Sequence, residues 1–144
     1  MKNVDSALQK FKAGHACSQA VFATYAVQMG ISEETALKIS CSFGGGMGRM
    51  GETCGAVTGA FMVIGLKHGR VNPLDSESRE KTDKLVRKFS AEFINRNHSF
   101  NCRELIGYDL TDPRQLEKAN ADGIFDRVCD KLVSDSAEIL DNIL

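Results

Sequence analysis

The stretch FGGGMGRMGETCGAVTG, from Phe43 to Gly59, holds seven of the chain's thirteen glycines and places Cys54 among them. A glycine inside a regular element costs about 0.5–1 kcal/mol relative to alanine. Such a density is therefore expected only where the backbone adopts positive φ or lies close to another group. The pattern indicates a loop that leads into a helix, and this stretch is the first candidate for a functional site.

The residues that follow the glycine-rich loop predict a central helix over 54–68. Thr53 is placed to cap this helix, whose side chains are apolar on nearly all sides, as is typical of a buried element. Gly55 and Gly59 lie four residues apart on one face of it. There they either let another helix pack closely or leave room for a cofactor beside Cys54.

Helical spacing recurs along the rest of the chain, and no segment shows the sustained alternation of a strand. No repeat or linker divides the sequence. It therefore predicts one all-α domain over residues 1–144, a compact bundle of five to seven helices around helix 54–68. The other predicted helical segments are 5–12, 17–29, 32 to about 43, 75–97, a turn near 102, a piece from 113, and 122–142.

Charge and hydropathy exclude several classes of protein. Eighteen basic and nineteen acidic residues give a net charge of -1, with no basic stripe of the kind that nucleic acid requires. The longest apolar run, Cys54 to Leu66, is shorter than the roughly 18 residues of a membrane-spanning helix. Residues 1–14 lack the apolar segment of a secretory signal. We expect a cytoplasmic protein with no membrane span and no nucleic-acid partner.

The segment GMGRMG, Gly46 to Gly51, matches G-x-G-x-x-G, but a helix precedes it and no strand follows, so a dinucleotide fold is not indicated. Free backbone N–H groups at a junction between a loop and a helix can still bind a small anion. The candidate ligand-binding glycines are Gly44, Gly45, Gly46, Gly48, Gly55 and Gly59.

The five cysteines, at 17, 41, 54, 102 and 129, contain no C-x-x-C pair, which argues against a zinc ribbon or a thioredoxin-type motif. Cys54 is the candidate reactive thiol, because the start of a helix lowers a thiol pKa below about 8.5. Packing alone could explain Cys17 or Cys129, whereas Cys102 lies among polar residues. No histidine or carboxylate stands in the relation to a cysteine that hydrolases or transferases show.

Four segments of the chain resemble the C_GCAxxG_C_C family of redox-active proteins: GHACSQAV with Cys17, the central CGAVTG with Cys54, CRELIG with Cys102, and the late Cys129. The resemblance spans nearly the whole chain. It implies a small helical protein whose signature cysteines are these four, with Cys41 as an additional residue. Members tend to be encoded near transporter or oxidoreductase genes, which implies a protein partner linked to redox chemistry or transport.

Three functions remain open at this point. Four converging cysteines could hold an iron-sulfur cluster or another thiophilic metal for electron transfer. Without metal, Cys54 could attack a disulfide while a neighbouring thiol resolves the product. In the third, the glycine-rich loop binds a small anion and the thiols only pack.

The sequence also suggests a homodimer. The bare face at Gly55 and Gly59, and an apolar stripe around Phe89 and Phe93, together exceed what we expect one small bundle to cover.

Overall fold

The computed structural model describes residues 1–144 and confirms the all-α class as one compact domain. There are eight α-helices rather than five to seven, because the predicted turn near 102 and the piece from 113 each form a separate helix. The helices are α1 (Lys2–Lys12), α2 (Cys17–Gln28), α3 (Glu33–Cys41), α4 (Gly55–His68), α5 (Ser76–Asn97), α6 (Cys102–Ile106), α7 (Pro113–Ala121) and α8 (Asp130–Ile143). A π-helical turn, Phe125–Cys129, directly precedes α8.

Helix α4 lies at the centre of the bundle, as predicted, and packs against α2, α5 and α8. Val57, Val63 and Ile64 on this helix are fully buried. The prediction of its cap was wrong: Cys54 is the N-cap, and Thr53 instead forms a bridge to Asn101 in another segment. No helix combines the length and apolar character that crossing a bilayer requires.

Gly55 and Gly59 bring α4 into close contact with α2. A Cβ at Gly59 would lie 2.9 Å from the carbonyl oxygen of Ser18, and one at Gly55 would lie 3.0 Å from the Ser18 amide nitrogen. Phe89 and Phe93 are also fully buried within the chain. Both surfaces on which the homodimer prediction rests are therefore covered by the protein's own helices.

The glycine-rich loop contains a left-handed turn, residues 45–49, in which every φ lies between 58° and 72°. Left-handed backbone costs a residue with a side chain about 1–2 kcal/mol. The three glycines adopt it without this cost, so only Met47 and Arg49 are strained in the turn. The Glu52 N–H donates to the Gly46 carbonyl at 2.9 Å and so closes the turn. The run of glycines is thereby explained by backbone conformation.

The end of the glycine-rich loop pairs with the residues before α6. The Cys54 N–H donates to the Phe100 carbonyl at 2.7 Å, and the Cys102 N–H donates to the Glu52 carbonyl at 2.6 Å. Between these bonds Thr53 lies opposite Asn101. This short antiparallel contact brings Cys54 and Cys102 together although they are far apart in sequence.

The interior consists of two apolar clusters. The larger is built on α1, α2, α3, α4, α5 and α8 and includes Cys54. The smaller is formed by Cys102, Ile106, Leu110, Ala119 and Cys129. Cys17 packs against both clusters, so it lies on the boundary between them.

Candidate functional site

Each of the four signature cysteines stands at the start of a helix. Cys17 and Cys102 are the first residues of α2 and α6, and Cys54 is the N-cap of α4. Cys129 ends the π-helical turn and is the N-cap of α8. All four line one cavity of about 750 Å³. The structure thus brings together the residues that the resemblance assigns to the site.

The last part of the chain positions Cys129 by an irregular path. The single helix predicted over 122–142 is interrupted, because Gly123 adopts a φ of 67° and the π-helical turn follows it. A π-helical turn inserts an extra residue and rotates the side chains that follow, and such turns are frequent at functional sites. Here the turn ends with the Cys129 side chain buried at the cavity.

The Cys17 and Cys129 thiols shift each other's pKa in opposite directions. The interaction with Cys17 lowers the pKa of Cys129 despite its burial and the nearby Asp126 and Asp130 carboxylates. The same interaction, together with burial, raises the pKa of Cys17 well above its ordinary value. The interaction therefore makes Cys129 the more acidic thiol of the two.

Burial dominates the two remaining signature thiols. It raises the pKa of both Cys54 and Cys102 to about 12. The N–H groups of Ala56 and Val57, at the start of α4, lower the pKa of Cys54, but their effect is smaller than that of burial. The sequence-based expectation that Cys54 is the most acidic thiol is therefore reversed, because the helix start lies inside the core.

The six candidate ligand-binding glycines divide into two groups. Gly46 and Gly59 do not line the cavity and instead approach protein atoms: a Cβ at Gly46 would lie 2.7 Å from that of Cys102. The other four line the cavity, and their binding of an anion stays a prediction. They are Gly44, Gly45, Gly48 and Gly55.

Sequence reasoning missed several residues of the cavity wall. Cys41 is exposed and lines the cavity, although it was treated only as an additional cysteine. Lys12, His15 and Arg49 also line it, and Asp126 is the one acidic residue that does so. Arg49 lies among the glycines of the loop. This position was the one feature of the sequence that could have indicated its place in the cavity wall.

The side chains of the cavity do not form a preassembled metal or cluster site. Nowhere do three or more histidine, cysteine, aspartate or glutamate side chains lie together in a way that could hold a metal ion. As placed, the four thiols share a cavity but do not form a ligand set for an iron-sulfur cluster or a zinc ion, both of which need four close ligands.

No curated protein and no solved structure matches this chain. A family model described as "Putative redox-active protein (C_GCAxxG_C_C)" matches residues 15–143. The match includes all four cysteines that line the cavity and the glycine-rich loop between them. The chain therefore belongs to the C_GCAxxG_C_C family.

Proposed function

We propose that the protein is a metal-free dithiol/disulfide redox carrier in which Cys17 and Cys129 are the working pair. The observation that carries the proposal is that Cys17 and Cys129 line one cavity, where their interaction raises the pKa of Cys17 and lowers that of Cys129. The redox character in the family's description supports the same assignment.

The reaction proceeds in two exchanges. The Cys129 thiolate attacks one sulfur of a disulfide substrate, breaks its S–S bond, and releases the first substrate thiolate. Cys17 then loses its proton and attacks the Cys129 sulfur, which breaks the mixed disulfide and releases the second. Two electrons pass to the substrate, which leaves as two thiols with one proton from Cys17 and one from water. The product on the protein is the Cys17–Cys129 disulfide.

This proposal assigns the first attack to Cys129 rather than to Cys54. A thiol attacks as its thiolate, and burial keeps the pKa of Cys54 and Cys102 near 12, so both stay protonated at neutral pH. Their place is in the wall of the cavity, where they exclude water from the reacting pair.

An iron-sulfur cluster or another thiophilic metal for electron transfer stays a prediction. The observation in its favour is the cavity shared by four thiols. The observation against it is that no group of three or more ligands is in place. The cytoplasmic location also stays a prediction, and a working dithiol suits the reducing cytoplasm. A protein partner linked to redox chemistry or transport stays a prediction as well.

The test is the identity of the disulfide. Reduced protein is treated with an equimolar disulfide reagent, free thiols are alkylated, and the peptides are mapped by mass spectrometry. We expect a link between Cys17 and Cys129, with loss of two thiols. Cys17→Ser should stop at a mixed disulfide on Cys129, whereas the Cys41→Ser control should still form the link.

Protein purified without oxygen is examined in parallel by visible absorption and metal analysis. The metal-free proposal would be overturned if the protein contained stoichiometric iron and showed sulfur-to-iron absorption, and if loss of any one of the four signature cysteines removed both. A disulfide that joins any other pair of cysteines in the wild-type protein would also overturn the proposal.

A further inference from the structure

The burial of Cys129 restricts what can reach it, whereas Cys17 is partly exposed. Cys129 is only 5% exposed, and its neighbours Cys54 and Cys102 are 3% and 8% exposed. This burial favours a small disulfide over one on the surface of a folded protein, since attack needs the three sulfurs in line. A cavity of about 750 Å³ lies within the range of roughly 300–1,000 Å³ that is typical of small-molecule sites.

The cavity has a cationic side. Lys12 ends α1 and Arg49 ends the left-handed turn; both side chains are exposed, and neither takes part in any of the chain's ion pairs. His15, two residues before α2, also lines the cavity. Against these groups the wall has one carboxylate, Asp126. Two cations without partners at a cavity attract anions and raise their local concentration.

A second part of the wall is apolar. A ligand that fills the cavity therefore needs an apolar or aromatic body as well as negative charge. The apolar side chains that line this part are Phe11, Ile106, Leu110, Leu116, Phe125 and Leu132.

We propose that the substrates of this cavity are small anionic disulfides, molecules that carry carboxylates on an apolar or aromatic body. This inference rests on the proposed dithiol function and adds the substrate class to it. The carboxylates bind beside Lys12 and Arg49, the body packs on the apolar wall, and the S–S bond meets Cys129. The disulfide is reduced to two thiols while Cys17 and Cys129 are oxidised, by the two exchanges described above.

The experiment compares three disulfides of different charge under second-order conditions, in a Cys41→Ser background that removes the exposed thiol. The probes are dithiobis(nitrobenzoate), which is dianionic, dithiodipyridine, which is neutral, and cystamine, which is dicationic. Each rate constant is divided by that of a free model thiol with the same reagent. We expect the normalised rate of the dianion to exceed that of cystamine by about 10-fold or more, because electrostatic attraction raises association rates by factors of that order.

Two changes to the protein should move this preference in opposite directions. Lys12→Gln with Arg49→Gln should lower the dianion's rate several-fold, and Asp126→Asn should raise it. Lys84→Gln with Lys88→Gln, which removes two cations from α5 outside the cavity, is the matched control and should change the ratio little. High salt should reduce the preference in the unaltered cavity, which tests the charge effect without any mutation.

The outcomes separate the two proposals. Formation of the Cys17–Cys129 disulfide at normalised rates independent of reagent charge would overturn the substrate class and leave the dithiol function intact. Failure of all three reagents to form that disulfide would overturn both. An equal loss of rate in the α5 control would likewise refute the role of Lys12 and Arg49.

Discussion

Two glycines of the left-handed turn share a backbone conformation but differ in their surroundings. A Cβ at Gly46 (φ 72°) would lie 2.6 Å from the Glu52 amide nitrogen and 2.7 Å from the Cys102 Cβ. A Cβ at Gly48 (φ 58°) would have no atom within 4 Å. The first position is thus constrained by both conformation and contact, and the second by conformation alone.

We expect Gly46→Ala to lower the free energy of unfolding by about 3 kcal/mol or more, because a steric clash adds to the cost of the left-handed backbone. Gly48→Ala should lower it by only about 1 kcal/mol. Urea unfolding of both variants measures the difference. Equal losses would show that the close approach of Gly46 to Cys102 is not real.

The buried thiol of Cys54 makes stability depend on alkaline pH. Its pKa rises from 9.0 to about 12 in the folded chain. Below pH 9 both folded and unfolded chains hold the proton; above it the unfolded chain loses the proton first, so the free energy of unfolding falls. At pH 10 the loss for one such thiol is about 1.4 kcal/mol.

Urea unfolding of reduced protein at pH 8 and pH 10 tests this expectation. Cys54→Ala should show a smaller decrease between the two pH values than the wild type does. The exposed Cys41 supplies the control, since Cys41→Ala should leave the decrease unchanged. A Cys54→Ala variant with the full decrease would contradict the buried state of this thiol.

At the scale of the helix, α4 contains its own matched pair of glycines. A Cβ at Gly59 would lie 2.9 Å from the Ser18 carbonyl oxygen, whereas one at Gly65 would have no atom within 4 Å. Gly59→Ala should therefore separate α4 from α2 and destabilise the protein by about 2 kcal/mol. Gly65→Ala should stabilise it by about 0.5–1 kcal/mol through helix propensity.

Thermal or urea unfolding of the two variants decides whether Gly59 serves close packing. Equal stabilisation by both substitutions would mean that α2 and α4 do not approach as described. Because Gly59 lies outside the cavity, neither variant should change which cysteines form a disulfide.

Local sequence signals were sufficient for most helices. Ser32 accepts a hydrogen bond from the Thr35 N–H, and Asp112 accepts one from the Arg114 N–H, as the capping patterns predict. The π-helical turn has no comparable signature, and the bridge between Thr53 and Asn101 joins segments that are distant in the chain. Tertiary contacts determine both features, so neither could be read from spacing.

For the whole molecule, the sequence predicted which cysteines would lie together but not their relative acidity. Resemblance identified the four cysteines, and the structure places all four at one cavity. The order of their pKa values was not predictable, because it depends on which helix start is buried and on the interaction between Cys17 and Cys129. The cations of the wall come from α1 and the left-handed turn, which only the folded chain brings together.

Oxidation of Cys17 and Cys129 should stabilise the whole fold. The disulfide would close a loop of about 100 residues, for which chain entropy predicts roughly 4–5 kcal/mol in favour of the folded state. We expect the oxidised protein to unfold at a higher urea concentration than the alkylated, reduced protein. Cys17→Ser, exposed to the same oxidant, should show no increase; an equal increase would show that another pair had formed.

The position of Cys17 on the boundary between the two apolar clusters has a further consequence for the redox potential. The folded chain holds the two sulfurs near each other and so raises the effective concentration of one thiol at the other. A higher effective concentration favours the disulfide. Cys129 belongs to the smaller cluster, so the docking of that cluster on the rest of the protein sets this concentration. Each tenfold decrease raises the potential by about 30 mV. A substitution such as Leu110→Ala, which loosens the smaller cluster, should therefore make the protein a stronger oxidant.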